Sequence, residues 1–291
     1  MPELHKYSGA GNDFVVLDGR TEDVSAFRTP EHISFFCKKY GTDGLMILNE
    51  GDGEYDFRME YYNSDGSGGM MCGNGGRCIV AFADALGLKP REGNVFRFLA
   101  ADGPHTGEII ARKGGRKTVR LRMIDVHEFR PALDGWFVDT GTRHFVRFVP
   151  DAEAVDVEAE GRRARWDPVF APIGANANFV SVDADGTLRV RTFEKGVEAE
   201  TLACGTGITA SAIAAFLSAD ARAGVVEPGT PSICRALFSC PAKLGSPARR
   251  AASAVRYDIQ ARIDRLEVEF RPLPDGGFTD VYLTGPAEEV L

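Results

Sequence analysis

MMCGNGGRC at Met70–Cys78 and LACGTGITA at Leu202–Ala210 decide how this chain is read. Each opens Cys-Gly-x-Gly and runs into small and apolar residues. Cys72 and Cys204 lie 132 positions apart, close to half the chain. A glycine-rich turn feeding a helix gathers backbone N–H groups and the positive end of the helix dipole at one point. A thiolate there is stabilised, and a thiol pKa near ~8.5 can fall to roughly 3.5–7.5. One such cysteine suggests a nucleophile. Two on repeated elements suggest a pair of acid/base groups facing one substrate.

The 291 residues suffice for one large or two medium domains, and 44% are hydrophobic. With 34 basic against 42 acidic residues the net charge is -8, which disfavours general nucleic-acid binding. No apolar run is long enough to span a bilayer; the longest, Ile208 to Leu217, is Ala/Ser-rich. The opening MPELHKYSGAGNDF has no apolar signal-peptide core. A cytoplasmic enzyme with reduced thiols is expected, without nucleic-acid or membrane partners. The cysteines at 37, 72, 78, 204, 234 and 240 include no Cys-x-x-Cys pair, so no metal site is expected. Cys37 and Cys78 read as small buried hydrophobes. Cys234 and Cys240 read as surface thiols.

Strands are expected across Leu4–Asp18 with a turn at Gly9–Asp13, and at 45–49, 55–63, 95–99, 107–112 and 117–123. A helix is expected over Pro30–Tyr40, with Pro30 early and Gly41 just past its end. Another should follow Cys72 over Gly76–Leu86. In the second half GWFVDTG, HFVRFV, NANFVSVD and Leu188–Glu194 read as strands, and Gly207–Leu217 as a helix. The order of strands, Cys-Gly-x-Gly and helix thus occurs twice. Two α+β lobes from an internal duplication are expected, each a curved, mostly antiparallel sheet around a central helix, with the active site in the cleft between them. The lobes are read as 1–125 and 126–277, with a last strand from about 278–291 returning to the first. A Pro/Ala-rich insert at about 219–254 reads as a loop, and Val255–Phe270 as strand.

KYSGAGNDFVVLD, YYNSDGSGGMMCGNGGRC, NANFV (Asn176 to Val180), FEKGVEAETLACGTG (Phe193 to Gly207) and LTGPA (Leu283 to Ala287), in this order, resemble the diaminopimelate epimerase family. The resemblance covers nearly the whole chain outside the insert. It implies a cofactor-independent epimerase of LL- and meso-diaminopimelate, in lysine and peptidoglycan precursor biosynthesis. One cysteine thiolate removes the α-proton and the other thiol reprotonates the opposite face. No lysine stands in a recognisable Schiff-base site, so electrostatics must replace a cofactor's electron sink. Gly73 with Asn74, and Gly205 with Thr206, resemble the family's cradle for the α-carboxylate. Each such donor can be worth about 3–4 kcal/mol in the transition state.

By the same resemblance His144 assists Cys72 and Glu194 assists Cys204. Asn12, Asn63, Asn176 and Lys195 match positions that hold the distal end of the substrate. Read alone, His144 would be a satisfied strand histidine, Glu194 a surface carboxylate and the asparagines turn or cap residues. The chain departs from the family at Lys195, where many members carry arginine. It has Thr142-Arg143-His144 where many have Asn-Pro-His, and Gly44 where some have a polar side chain. These departures bear on distal specificity. A two-cysteine racemase of the same fold acting on another amino acid is the alternative. A redox protein with a Cys72–Cys204 disulfide is a third reading. A nucleotide site is disfavoured, because Phe14 stands where a third glycine would belong. A homodimer is expected from the family.

Overall fold

The computed structural model describes residues 2–69, 71–222, 253–274 and 276–290, with the side chains of 220–222 left aside. The reading of 223–252 as loop, and of Cys234 and Cys240 as surface thiols, lies outside the described residues. The chain divides into two compact units, residues 1–122 with 284–291, and residues 123–283. The last strand therefore does not return whole to the first unit from residue 278; it divides at Leu283/Thr284.

In the first unit β1 (His5–Gly9) and β2 (Asn12–Asp18) form a hairpin over Ala10 and Gly11, both at positive φ. Two positive-φ residues give the turn whose twist matches the strands. Helix α1 (Pro30–Tyr40) then crosses to β3 (Gly44–Glu50), which lies parallel to β2. Its bounds follow local signals: Thr29 caps the start, Pro30 occupies the first turn, and Gly41 closes the end in the left-handed region. Ile33 and Cys37 of α1 pack on Val15, Leu17, Leu45 and Ile47.

Strand β4 (Phe57–Asn63) pairs antiparallel with β3. Helix α2 (Gly73–Ala85) then crosses to β5 (Val95–Ala100), parallel to β4. Strands β6 (Gly103–Lys113) and β7 (Arg116–Arg122) follow as a hairpin. The closing strand, β16 (Phe278–Glu289), pairs through Gly285–Glu288 with β7 and through Glu288 and Glu289 with β1. The sheet is thereby closed, which removes its edges. Residues Gly73 through Ala83 of α2 are all buried, as a helix enclosed by a sheet must be.

The second unit repeats this plan. Strands β8 (Phe129–Ala132) and β9 (Gly135–Asp139) precede β10 (Arg143–Phe148), and α3 (Val157–Arg165) crosses to the parallel β11 (Asn176–Val182). Strand β12 (Leu188–Glu194) pairs antiparallel with β11, and the short β13 (Ala199–Thr201) folds back on it. Helix α4 (Gly205–Arg222) leads toward β14 (Val255–Gln260), parallel to β12, and β14 forms a hairpin with β15 (Arg265–Pro272). The parallel pairs β2/β3 and β10/β11, and β4/β5 and β12/β14, correspond one to one. So do α1 and α3, and α2 and α4. The expected duplication into α+β lobes around central helices is what the fold shows.

Two local expectations change, and one helix was not expected. Helix α4 runs to Arg222, into what reads as the start of the insert. The single stretch Val255–Phe270 is two strands with a turn between. Helix α3 carries little apolar signal, with only Val157, Gly161, Ala164 and Arg165 buried. Its close seat depends on Gly161, where a Cβ would fall 2.3 Å from Cβ of Phe193. No helix among the described residues is long and apolar enough to cross a membrane.

Candidate active site

Both cysteines stand immediately ahead of a buried helix. Cys72 is the N-cap of α2 with extended backbone, and its carbonyl accepts from the Gly76 N–H at 2.7 Å. The Cys204 carbonyl accepts from the Ile208 N–H at 2.8 Å, the same arrangement at α4. The first N–H groups of a helix have no partners within it. In both units these donors come from the Cys-Gly-x-Gly segment, on glycines and one polar residue. Cys72 is half-buried and Cys204 buried. Helix α2 begins at Gly73, three residues before the expected Gly76, so the cysteine is at the cap and not a turn away from it.

In the first unit one directional chain fixes the helix start. Fully buried Arg77 donates to Asn74 Oδ1 at 2.8 Å. Asn74 Nδ2 donates to Asn12 Oδ1 at 2.5 Å, and Asn12 Nδ2 to an Asp43 carboxylate oxygen at 3.2 Å. Arg77 also donates to the carbonyls of Gly73 and Pro286, each at 3.3 Å. The structure thus joins Asn12, Gly73 and Asn74 in one hydrogen-bonded chain between Arg77 and Asp43. Asn63 stands apart from this chain. Its side chain donates to Ser67 Oγ at 3.0 Å and holds the turn after β4. Gly44 pairs with Asn63, and a Cβ there would lie 2.6 Å from the Tyr62 carbonyl. No side chain fits at residue 44 without moving β4.

Cys37 and Cys78 are buried, as expected. Burial pushes the Cys78 thiol far above its ordinary range, outweighing the opposing Arg77 charge. Cys78 therefore remains a thiol.

In the second unit His144 is fully buried on β10. Its Nε2 lies 2.9 Å from Thr142 Oγ1 and 3.0 Å from Thr206 Oγ1. Thr206 Oγ1 in turn lies 3.4 Å from Cys204 Sγ. Burial, with the Lys195 charge adding to it, pushes the imidazole down to about 3. The structure thus brings together Thr142, His144, Thr206 and Cys204, so the hydrogen bonds of His144 lead to Cys204. Asn176 donates to the Arg143 carbonyl at 2.9 Å and accepts from the Lys195 N–H at 2.7 Å, fixing the backbone at Lys195. Glu194 accepts from Thr201 Oγ1 at 2.9 Å. Among the described residues no cluster of three or more His, Cys, Asp or Glu could hold a metal ion.

Two residues of this geometry, Arg77 and Asn178, lie inside quoted motifs without being candidate site residues. Arg77 is a lone charge in a run of small residues, which marks it as either exposed or fully engaged. Asn178 follows Asn176 at the strand period of two, so it points to the same face.

The class is a duplicated α+β fold that several solved structures share. A Bacillus anthracis protein of the PhzF family, described as a phenazine biosynthesis protein, matches at TM-score 0.68 and 13% identity, over 99% of this chain and 96% of that one. A hydroxyproline epimerase from Agrobacterium vitis matches at TM-score 0.61 and 15% identity, over 98% and 88%. At these identities the likeness concerns fold alone. Sequence narrows the class further: the family model described as diaminopimelate epimerase matches residues 4–106 and 136–229. The diaminopimelate epimerase of Chlorobaculum tepidum is 44% identical over 291 residues, covering 97% of each chain. That of Flavobacterium psychrophilum is 34% identical over 292 residues, covering 99% of this chain and 98% of its own. This chain belongs to the diaminopimelate epimerase family.

Proposed function

We propose that the chain interconverts LL- and meso-diaminopimelate without a cofactor, with Cys72 and Cys204 as the acid/base pair. The observation that carries this reading is the matched placement of the two cysteines, each capping an equivalent buried helix in a duplicated fold. Family membership supplies the substrate. One cysteine, as thiolate, takes the α-proton and becomes a thiol. The electron pair left on the α-carbon delocalises into the α-carboxylate. The other cysteine, as thiol, delivers its proton to the opposite face and becomes the thiolate. Atoms and charge balance, and the enzyme is left ready for the reverse reaction.

The growing carboxylate charge is met by backbone N–H groups at Gly73–Asn74 and Gly205–Thr206, where helix dipoles add to their pull. Asn63, Asn176 and Lys195, with the backbone that Asn12 helps to fix, are the groups proposed for the distal ammonium and carboxylate. Glu194 is proposed to support Cys204. The reading also places the enzyme in the cytoplasm, where its thiols stay reduced, and as a homodimer.

The test follows deuterium uptake from D2O at the α-carbon of both isomers, for the parent protein, Cys72→Ser and Cys204→Ser. Uptake with inversion by the parent, and severe loss of inversion in each variant, is the expected result. No uptake by folded, reduced protein would refute the substrate. Uptake with another amino acid in its place would favour a racemase of altered distal specificity. Thr142 gives that second reading a specific basis, since its hydroxyl is engaged with His144 and Thr206.

A further inference from the structure

Behind His144, on the side away from Cys204, lies Asn178 of β11, also fully buried. We propose that Asn178 is a positioning residue that locks His144 as its Nε2–H tautomer, and so fixes the Thr206 hydroxyl as a hydrogen-bond donor to the Cys204 sulfur. The role of the Cys204 sulfur rests on the proposed function; the lock itself does not.

The orientation of the Asn178 amide is settled by its neighbours. It lies 3.0 Å from the Phe145 carbonyl, which can only accept, so the group facing it must be Nδ2. The other end, Oδ1, accepts from Thr192 Oγ1 at 2.9 Å. The second Nδ2 hydrogen is thereby aimed at His144 Nδ1, 3.1 Å away. Nδ1 must present its lone pair, and the single proton of a neutral imidazole goes to Nε2. An imidazolium would set N–H against N–H here, so hydrogen bonding opposes the charged form just as burial and Lys195 do. His144 is then a fixed dipole and not a proton carrier.

From Nε2 the donors run outward. The imidazole N–H points at the hydroxyls of Thr142 and Thr206, which lie 3.1 Å apart with Thr142 donating to Thr206. Thr206 Oγ1 receives these bonds and has its own proton left for Cys204 Sγ. The opposite tautomer would make Nε2 an acceptor and draw a hydroxyl proton away from the sulfur. The packing is consistent with a lock. A Cβ on Gly207 would fall 2.4 Å from Asn178 Oδ1 and 3.2 Å from His144 Cε1. The charge that acts on His144 is that of Lys195, just past the end of β12.

Two substrate-free measurements test the lock. The first is ¹⁵N NMR of the imidazole in parent protein and Asn178→Asp. Parent His144 should be neutral and carry its proton on Nε2 from pH 5 to 9. In Asn178→Asp a carboxylate faces Nδ1, and the proton should appear there. The second is the pH dependence of alkylation at Cys204, read by peptide mass mapping in a Cys72→Ser background. Thr206→Val should raise the alkylation midpoint by about one pH unit while leaving the tautomer unchanged, and Thr206→Ser should restore it. Thr192→Val, which loosens the amide without adding charge, should shift the midpoint in the same direction by less. A parent imidazole protonated on Nδ1, or an alkylation midpoint indifferent to Thr206→Val, would overturn the proposal, and neither measurement depends on Asn178→Asp folding. Failure of diaminopimelate as substrate would leave both readouts intact and strike only the proposed function.

Discussion

Asp84 stands in the last turn of helix α2, and the structure gives it two cationic partners. Arg112 grips the carboxylate with Nη2 at 2.6 Å and Nε at 3.0 Å, and Lys117 Nζ lies 3.0 Å away. Lys117 also donates to the Ala81 carbonyl at 2.6 Å, tying the last turn of α2 to β7. The bidentate Arg112 contact first, and Lys117 second, hold the Asp84 carboxyl down at about 2, against an ordinary 3.8. A shift of that size corresponds to about 2 kcal/mol of stability. Arg112 is largely exposed, so solvent screening reduces this to roughly 1–2 kcal/mol. The folded-state pKa is depressed, so the contribution is complete above the unfolded pKa and is lost as pH falls toward 2. About half of it should be gone by pH 3. Asp84→Asn is therefore expected to lower unfolding free energy by roughly 1–2 kcal/mol at pH 7, with the gap to parent protein narrowing between pH 4 and 2. Urea titrations of both proteins at pH 7, 5 and 3 give the comparison. A gap equal at pH 7 and pH 3 would mean that Asp84 acts through shape and not charge, and the reasoning above would be wrong.

Gly9→Ala places a Cβ 2.8 Å from both the Asn74 carbonyl and Cys78 Sγ. Neither a helix carbonyl nor a buried sulfur can swing away, so a loss of about 1–3 kcal/mol is expected in thermal or urea unfolding. Asp156 caps α3 by accepting from the Ala159 N–H at 3.0 Å, and Asp156→Ala should cost about 1 kcal/mol in the same assay. A neutral result at Asp156 would show that the packing of α3 on Phe193, and not its cap, holds that helix.

The sequence by itself determined whatever rests on short-range physics. Thr29, Pro30 and Gly41 bound α1 because caps and turns are chosen by the residues that form them. The alternation in Leu188–Glu194 marks a strand because one face is buried. The two Cys-Gly-x-Gly segments announce the duplication because a close helix start needs glycine both times. The family follows from several such motifs in order. Tertiary structure decided the rest. That β16 closes on β1 joins residues some 280 positions apart, and no local pattern encodes that pairing. Helix α3 was illegible because its buried positions, though at helical spacing, are Val157, Gly161, Ala164 and Arg165, of which one is small and apolar, one is glycine and one is charged. That the Asn74 amide donates to Asn12 is likewise not legible locally, since the two lie 62 positions apart and a buried amide must find whatever partner the fold supplies. Arg77 and Asn178 lie inside the motifs MMCGNGGRC and NANFV, but the motifs do not say what the two side chains bond. Their work depends on which carbonyls and ring nitrogens the folded chain brings within 3.3 Å of them, and only the fold fixes those distances.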